Sequence, residues 1–348
     1  MKYNINIIIM ASCMMFVSCM GLSIREFVYV MKLQDVNSAT AKFSPDGNKI
    51  AAGYSTGEII IWDANTYNPI SVYKGEEHDY FSLDFSPDGK YIAYGARHEA
   101  ATLFDIENNY VVKTFPAEGA ITPRNVKFSP DGRYIAVGYS SNRIIIWDVE
   151  TGSIVYQFIA STSPLYCSVT SVAFSPDGKR LISADNLYRI NIWNLENGSH
   201  ERRLTGDFRY DIFLAVNYHA VLDKSGDRII SGSGIRREIT IWDTESGEIL
   251  KTLPGNRNSV YSLCVSPDGN IIAAGSMNAI SLWDISSGKK LLTIRKGLVF
   301  EVAYLDFHPA NNNILMTSGS PDALIRLWDI TNGKELMKLS IELIQNKE

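Results

Sequence analysis

The sequence lacks three features, and each absence argues against a class of protein. It has no basic excess, because 33 Lys and Arg residues face 38 Asp and Glu residues and give a formal net charge of -5. A general nucleic-acid-binding protein carries a basic surface, so that function is not expected. No two of the four cysteines have the C-x-x-C spacing of zinc or redox sites. Four cysteines in 348 residues also do not make a disulfide scaffold.

Sequence motifs for catalysis are missing as well. No P-loop, dinucleotide fingerprint or EF-hand spacing occurs, and the five histidines are not spaced as metal ligands on one element. Residues 53–57 match G-x-S-x-G, but a strand-like segment follows where a nucleophile elbow needs a helix. His308 stands in a turn and is expected to be exposed, whereas His219 is expected to pack in a strand. We therefore expect no enzymatic activity, no cofactor and no metal.

The N-terminus differs from the rest of the chain. Lys2 is the only charged residue before Arg25, and residues 5–17 are mostly apolar. This basic start and short apolar run indicate a secretory signal, since about 20 apolar residues are needed to span a bilayer. The run ends at Cys19 and resembles the bacterial lipobox, although Phe16 stands where Leu is usual.

This resemblance implies a signal peptide over 1–18, cleavage before Cys19, lipidation of Cys19 and a tether over 19–27. The protein would then be exported and anchored by its lipid in a bacterial cell envelope. Three alternatives remain open. They are an ordinary cleaved signal that yields a periplasmic or secreted protein, an uncleaved N-terminal anchor, and no export.

One four-residue turn is repeated along the chain. Ser-Pro-Asp-Gly occurs at 44–47, 86–89, 129–132, 175–178 and 266–269. Residues 223–226 and 308–311 are degenerate equivalents. Proline presets φ for a turn, aspartate can bond nearby backbone, and glycine accepts positive φ. Each of these segments therefore predicts a chain reversal between two strands.

A second repeated feature is a tryptophan-aspartate pair or a close variant. Seven such pairs lie 41 to 49 residues apart, at Trp62-Asp63, Phe104-Asp105, Trp147-Asp148, Trp193-Asn194, Trp242-Asp243, Trp283-Asp284 and Trp328-Asp329. Each unit contains four short segments of alternating apolar residues; in the third unit they are 110–115, 125–128, 134–139 and 143–148. A single unit cannot bury its apolar faces, so the units must pack on one another.

Together, the period, the turn and the terminal pair resemble the WD-repeat family over most of the chain. The resemblance implies an all-β fold, a seven-bladed β-propeller of four-stranded antiparallel blades over 28–343, with a C-terminal tail at 344–348. The family's Gly-His pair is missing here, with His78 near one of its places. Asp185 and Asp322 are the best matches to the aspartate that the family places between second and third strands.

Both ends of the repeat region contain a segment that suits the outer strand of the seventh blade. These are residues 26–33 and 333–341, although the blade needs only one of them. We expect the N-terminal segment to fill this place, because it would tie the ends of the ring together and cover an exposed edge.

The family resemblance implies a non-enzymatic scaffold that binds protein or peptide partners. The largest predicted loop lies in the fifth unit and carries aromatic and cationic residues, which are enriched in interface hot spots. The resemblance implies that the loops entering the innermost strands and the loops between second and third strands share one face, the top face. The candidate partner-binding residues on the top face are Tyr166, Tyr188, Arg189, Phe208, Arg209, Tyr210, Arg236, Arg237 and Arg257. An acidic partner and a monomeric propeller are expected, with membrane contact through the lipid only. The alternatives are a small-ligand or glycan sensor using the channel, and a propeller hydrolase.

Overall fold

The computed structural model consists of seven four-stranded antiparallel sheets, each built from consecutive strands. It describes residues 39–74, 80–96, 101–119, 122–161, 167–205, 219–232, 237–254, 258–295, 298, 301–320 and 322–340. Strands are the regular elements throughout these ranges, and no helix in them is long and apolar enough to cross a membrane. The predicted all-β, seven-bladed architecture is therefore confirmed. The predicted ends of the propeller, at 28 and 343, lie outside the described residues.

The first four blades occupy the chain up to Thr205. Blade 1 comprises β1 (Ala39–Phe43), β2 (Lys49–Tyr54), β3 (Glu58–Asp63) and β4 (Pro69–Lys74). Blade 2 comprises β5 (Tyr80–Phe85), β6 (Tyr91–Ala96), β7 (Ala101–Asp105) and β8 (Tyr110–Phe115). Blade 3 comprises β9 (Pro123–Phe128), β10 (Tyr134–Tyr139), β11 (Arg143–Asp148) and β12 (Ile154–Ile159). Blade 4 comprises β13 (Val169–Phe174), β14 (Arg180–Asp185), β15 (Arg189–Asn194) and β16 (Ser199–Thr205).

The remaining three blades follow in the same order. Blade 5 comprises β17 (His219–Leu222), β18 (Arg228–Gly232), β19 (Ile239–Asp243) and β20 (Ile249–Leu253). Blade 6 comprises β21 (Val260–Val265), β22 (Ile271–Ser276), β23 (Ala279–Asp284) and β24 (Lys290–Ile294). Blade 7 comprises β25 (Glu301–His308), β26 (Asn311–Ser320), β27 (Ile325–Asp329) and β28 (Lys334–Leu339).

The first strands of the blades form a closed ring. Each contacts the first strand of the next blade, and β25 contacts β1. We call the side on which these strands begin the top face and the opposite side the bottom face. The connections between blades and the loops between second and third strands lie on the top face. The other two turns of each blade lie on the bottom face.

The repeated Ser-Pro-Asp-Gly segments form the bottom-face turns between first and second strands, as predicted. In the first of them, the Gly47 amide donates to the Ser44 carbonyl at 2.8 Å, and Gly47 has a φ of 75°. The Ser44 hydroxyl donates to Asp46 at 2.5 Å and accepts from the Lys49 amide at 2.9 Å. The Ser44 hydroxyl and the Asn48 amide hold the pKa of Asp46 down to about 2. The serine hydroxyl thus joins both sides of the turn through hydrogen bonds. The sequence pattern alone did not indicate this role.

The cores lie between blades, and tryptophan is their largest residue. Trp62, Trp147, Trp283 and Trp328 are almost fully buried. In blades 4, 5 and 7 the indole N–H donates to a Ser or Thr hydroxyl of the second strand at 2.8 to 2.9 Å. In these three blades the indole therefore links the third strand to the second by a side-chain hydrogen bond. Asp185 and Asp322 each accept an amide hydrogen bond from the residue two positions later and pair with an arginine, which confirms them as turn aspartates.

The seventh blade has its own outer strand, so the prediction that residues 26–33 supply it is wrong. β28 pairs with β27 through a short turn in which the Asp329 carboxylate accepts from the Thr331 amide at 2.9 Å. Leu339 at its end is 1 % exposed and packs in the core shared by blades 7 and 1. A local hairpin therefore completes the blade. Residues 26–33 lie outside the described residues.

A bottom-face contact also joins the last blade to the first. His308 is half-buried rather than exposed, because its ring packs against Gly47 and meets Phe43 edge-to-face at 5.0 Å. At other junctions the turn proline occupies this place, as Pro45 does against Gly89 and Pro176 does against Gly226. The histidine in the degenerate turn therefore continues the contact between blades that proline makes elsewhere.

The position of β28 yields a stability prediction with an internal control. Leu339→Ala should lower the free energy of unfolding by about 2–5 kcal/mol, because it leaves a cavity in a buried core. Leu336 of the same strand is 42 % exposed, so Leu336→Ala should change that free energy by less than about 0.5 kcal/mol. Urea denaturation of both variants measures the difference. Equal, small effects would mean that β28 is not the outer strand.

Candidate binding site in the central channel

The channel is lined by two levels of side chains, one residue per blade at each level. The register between first and second strands defines them, because equivalent residues pair with equivalent partners. The lower level consists of Lys42, Asp84, Lys127, Ala173, Val221, Cys264 and Asp306. The upper level, two residues earlier in each strand, consists of Thr40, Ser82, Asn125, Ser171, His219, Ser262 and Tyr304. A cavity of about 550 Å³ touches both levels.

The lower level concentrates four charges on blades 7, 1, 2 and 3. Asp84 lies between two lysines: Lys42 donates to its Oδ1, and the Lys127 ammonium lies 3.3 Å from the same oxygen. Its Oδ2 accepts from the Phe128 amide at 2.9 Å. On the other side, Asp306 Oδ2 accepts from the Phe43 amide at 2.9 Å. Both carboxylate oxygens of Asp84 therefore have hydrogen-bond partners, whereas Lys127 and Asp306 each make fewer hydrogen bonds.

Burial shifts the titration of these groups in different directions. Burial opposes ionisation of Asp84, but the two lysines lower its pKa overall. Burial likewise opposes the charge on Lys42, but the Asp84 carboxylate raises its pKa overall. Burial, with a smaller contribution from the Lys42 charge, lowers the pKa of Lys127 to about 8. Burial raises the pKa of Asp306. Lys127 and Asp306 are thus the less completely compensated charges.

The upper level is polar and mostly uncharged, and much of it binds the neighbouring blade. Ser82 accepts from the Val126 amide at 3.2 Å, and Asn125 Oδ1 accepts from the Val172 amide at 2.9 Å. Two other residues face the cavity at this level. Burial and the Lys127 charge lower the pKa of His219 to about 4, so its ring is neutral at pH 7. Burial and the Glu301 charge raise the pKa of Tyr304 to about 12.

Three of the nine partner-binding residues predicted from sequence lie within the described ranges. Tyr188 is 8 % exposed and packs in the core between blades 4 and 5. Arg189 pairs with the fully buried Asp185 at 2.8 Å and donates to Cys167 Sγ at 3.4 Å. Arg237 is exposed on the top face with a φ of 58°. The others lie outside the described residues, as does Cys19: Tyr166, Phe208, Arg209, Tyr210, Arg236 and Arg257.

The sequence analysis missed the two channel levels. The signal for the lower level was present, because each of its residues lies two positions before the first residue of the repeated turn or its equivalent. Alignment of the seven repeats on that turn brings Lys42, Asp84, Lys127 and Asp306 into one column. The partner-binding residues predicted from sequence were chosen from loops, whereas the channel residues lie in short, regular strands.

Comparison with known families gives two matches. The family described as "Cytochrome D1 heme domain" matches residues 50–247, which is more than half of the chain. The family described as "WD domain, G-beta repeat" matches residues 26–63 and 247–284.

Curated relatives match over short segments. WD repeat-containing protein 1 of Rattus norvegicus is 32 % identical over 78 residues, which is 22 % of this chain and 13 % of that protein. The Periodic tryptophan protein 2 homolog of Schizosaccharomyces pombe is 27 % identical over 97 residues, 28 % of this chain and 11 % of that protein. The human Echinoderm microtubule-associated protein-like 2 is 26 % identical over 68 residues, 20 % and 10 % of the two chains. The match therefore spans little more than a tenth of each relative.

The first family description implies a haem, and the described channel does not fit one. A haem needs an axial ligand such as histidine, and a site for a large organic group is lined mainly by apolar side chains. His219 could offer the ligand, but Lys42, Lys127 and Asp306 line the same cavity one level below it, and Asp84 pairs with the two lysines. The macrocycle would therefore lie against charged side chains instead of the apolar surface that it requires.

The coupling between Lys127 and His219 can be tested by titration. Lys127→Met should raise the pKa of His219 from about 4 toward the ordinary histidine value of about 6.5, because the repulsion from the cation is lost while burial remains. NMR titration of the imidazole C–H signals measures this pKa, and His219→Gln assigns the resonance. Lys113→Met is the control, since Lys113 binds the Val149 carbonyl at 3.0 Å instead of the channel. An identical His219 titration in both lysine variants would contradict the coupling.

Proposed function

The chain belongs to the cytochrome D1 heme domain family of β-propellers and carries WD repeats, and we propose that it is a non-enzymatic protein-interaction scaffold. Its partner binds the top face over blades 4 to 6. The chain is exported and anchored in a bacterial cell envelope by a lipid on Cys19.

The observation that carries the top-face proposal is the contrast between the two faces. On the bottom face, six of the seven turns between first and second strands are equally long, as in 44–48 and 266–270. On the top face, the connections between blades range from 75–79 to 206–218, and the longest one enters blade 5. The longest loop between second and third strands, 233–238, belongs to the same blade. Length variation in surface loops on a uniform framework is typical of binding sites.

Charge supports an acidic partner. Arg237 is exposed at the end of the 233–238 loop, and Arg236 precedes it in the sequence. Arginine binds carboxylates and phosphates through two parallel hydrogen bonds. In this proposal Tyr188 and Arg189 have a supporting role and do not contact the partner. They fix the turn between β14 and β15 on the top face of blade 4, because Tyr188 is buried and Arg189 is paired with Asp185.

The binding surface is tested by a double substitution. Tyr210→Ala with Arg236→Ala should reduce recovery of cross-linked partners from the native envelope at least tenfold, as expected for hot-spot residues. The melting temperature should stay near the wild-type value, since both positions fall outside the strand segments of the sequence. Lys224→Ala, in an exposed bottom-face turn, is the matched control and should recover partners normally. Wild-type recovery by the double variant would place the binding surface elsewhere.

The lipid anchor is tested separately. Cys19→Ala should move the protein from the membrane fraction to the soluble fraction or stop its maturation, because acyl chains contribute about 0.8 kcal/mol per buried CH₂. Fractionation and intact mass measure the outcome, with Cys13→Ala as the control. The same mass and membrane association in Cys19→Ala and wild type would contradict lipidation at this residue.

A further inference from the structure

The lower channel level contains two charged groups with unused hydrogen-bonding capacity. Lys127 has three ammonium hydrogens, and its recorded contact is the 3.3 Å approach to Asp84, which Lys42 also binds. Asp306 uses Oδ2 to accept from Phe43, and its Oδ1 has no hydrogen-bond partner among the described residues. Both side chains line the open cavity, so a ligand of opposite charge can form charge-assisted hydrogen bonds with each of them.

The side chains between these two groups are small and apolar. From blade 3 to blade 7 the level reads Lys127, Ala173, Val221, Cys264 and Asp306. One arc of the channel therefore presents a cation, an apolar surface and an anion in that order. The cavity of about 550 Å³ touches all five, a volume within the usual range for small-molecule sites.

The same level is reached from the bottom face. A second cavity of about 420 Å³ is lined by Lys42, Lys127 and Asp306 together with prolines of the bottom-face turns. The first cavity also reaches the bottom-face turns, where Lys224, Pro267 and Pro309 line it. A small solute therefore has a route to the charged groups that does not cross the top-face surface proposed for partners.

We propose that the channel binds a small zwitterion with an apolar body, namely an apolar α-amino acid or a dipeptide. Its carboxylate binds Lys127, its ammonium binds Asp306, and its side chain packs on Ala173, Val221 and Cys264. Charge-assisted hydrogen bonds at both ends fix the orientation of the ligand, and the apolar arc favours leucine-like side chains over glycine. This binding goes beyond the scaffold function and does not depend on it.

Calorimetry on the full mature chain tests the proposal with defined probes. L-Leucine and L-leucyl-L-leucine represent the two sizes, and at least one should bind. N-acetyl-leucine lacks the ammonium, leucinamide lacks the carboxylate, and glycine and diglycine lack the apolar body. Each should bind at least tenfold more weakly than the better zwitterion, which corresponds to about 1.4 kcal/mol. No binding of either zwitterion, or equal binding of the blocked analogues, would overturn the proposal.

Variants assign the two ends. Lys127→Met should weaken leucine or dileucine binding at least tenfold and abolish the preference over leucinamide. Asp306→Asn keeps an oxygen for the Phe43 amide and should abolish the preference over N-acetyl-leucine. Lys113→Met should bind as wild type does. If Asp306→Asn does not fold, the N-acetyl-leucine comparison on wild-type protein decides the same contact. Unchanged selectivity in Lys127→Met would overturn the assignment.

The channel and the top face can be separated in the same set of proteins. Lys127→Met should lose ligand binding while recovering cross-linked partners as wild type does. The Tyr210→Ala, Arg236→Ala double variant should show the reverse. Loss of partner recovery in Lys127→Met would mean that the two sites are not independent.

Discussion

The ring depends on how the free edge of each innermost strand is satisfied. The first strand of a blade pairs with only one neighbour, so its other edge presents backbone groups to the channel. Side chains from the preceding blade supply partners for these groups. Ser171 accepts from the Ala220 amide at 3.0 Å, Ser262 donates to the Val302 carbonyl at 2.7 Å, and Asp306 accepts from the Phe43 amide at 2.9 Å. Buried backbone groups are costly when unpaired, so these bonds fix where successive blades meet.

The hydrogen bond from the Phe43 amide to Asp306 joins the last blade to the first. Together with the Leu339 core and the His308 contact, it closes the ring between separately completed blades. No strand has to be shared between the two ends of the propeller. The Asp306 bond at this junction is of the same kind as the bond from the Phe128 amide to Asp84 at the junction of blades 2 and 3. A uniform bottom face can then support top-face connections of very different length.

The fold could be predicted from sequence because its signals are local and repeated. Turn chemistry at Ser44 to Gly47 and the spacing of Trp62, Trp147 and the other pairs each recur at nearly constant distance. Closure could not be predicted, because residues 26–33 and 334–339 both have the alternation of an outer strand. The pairing of β28 with β27 and the packing of Leu339 show that the C-terminal segment fills the place. Tyr188 was assigned to a binding surface because sequence places it in a loop. The turn between β14 and β15 gives Tyr188 a φ of 61° and directs its aromatic side chain into the core.

The channel residues divide according to whether the ring requires them. Junctions use an acceptor at one of the two levels, which explains serine and asparagine at Ser82 and Asn125 in the upper level and aspartate at Asp84 in the lower level. A lysine cannot accept a hydrogen bond, so the same requirement does not explain Lys127. Replacement of buried charges by apolar residues is often neutral or stabilising, and Ala173 shows that the adjoining blade does without a charge at this height. Lys127 compensates the buried Asp84 carboxylate together with Lys42, so the junction between blades 2 and 3 accounts for part of the charge at this height. The remaining donor capacity of the Lys127 ammonium faces the cavity, where a ligand can accept from it.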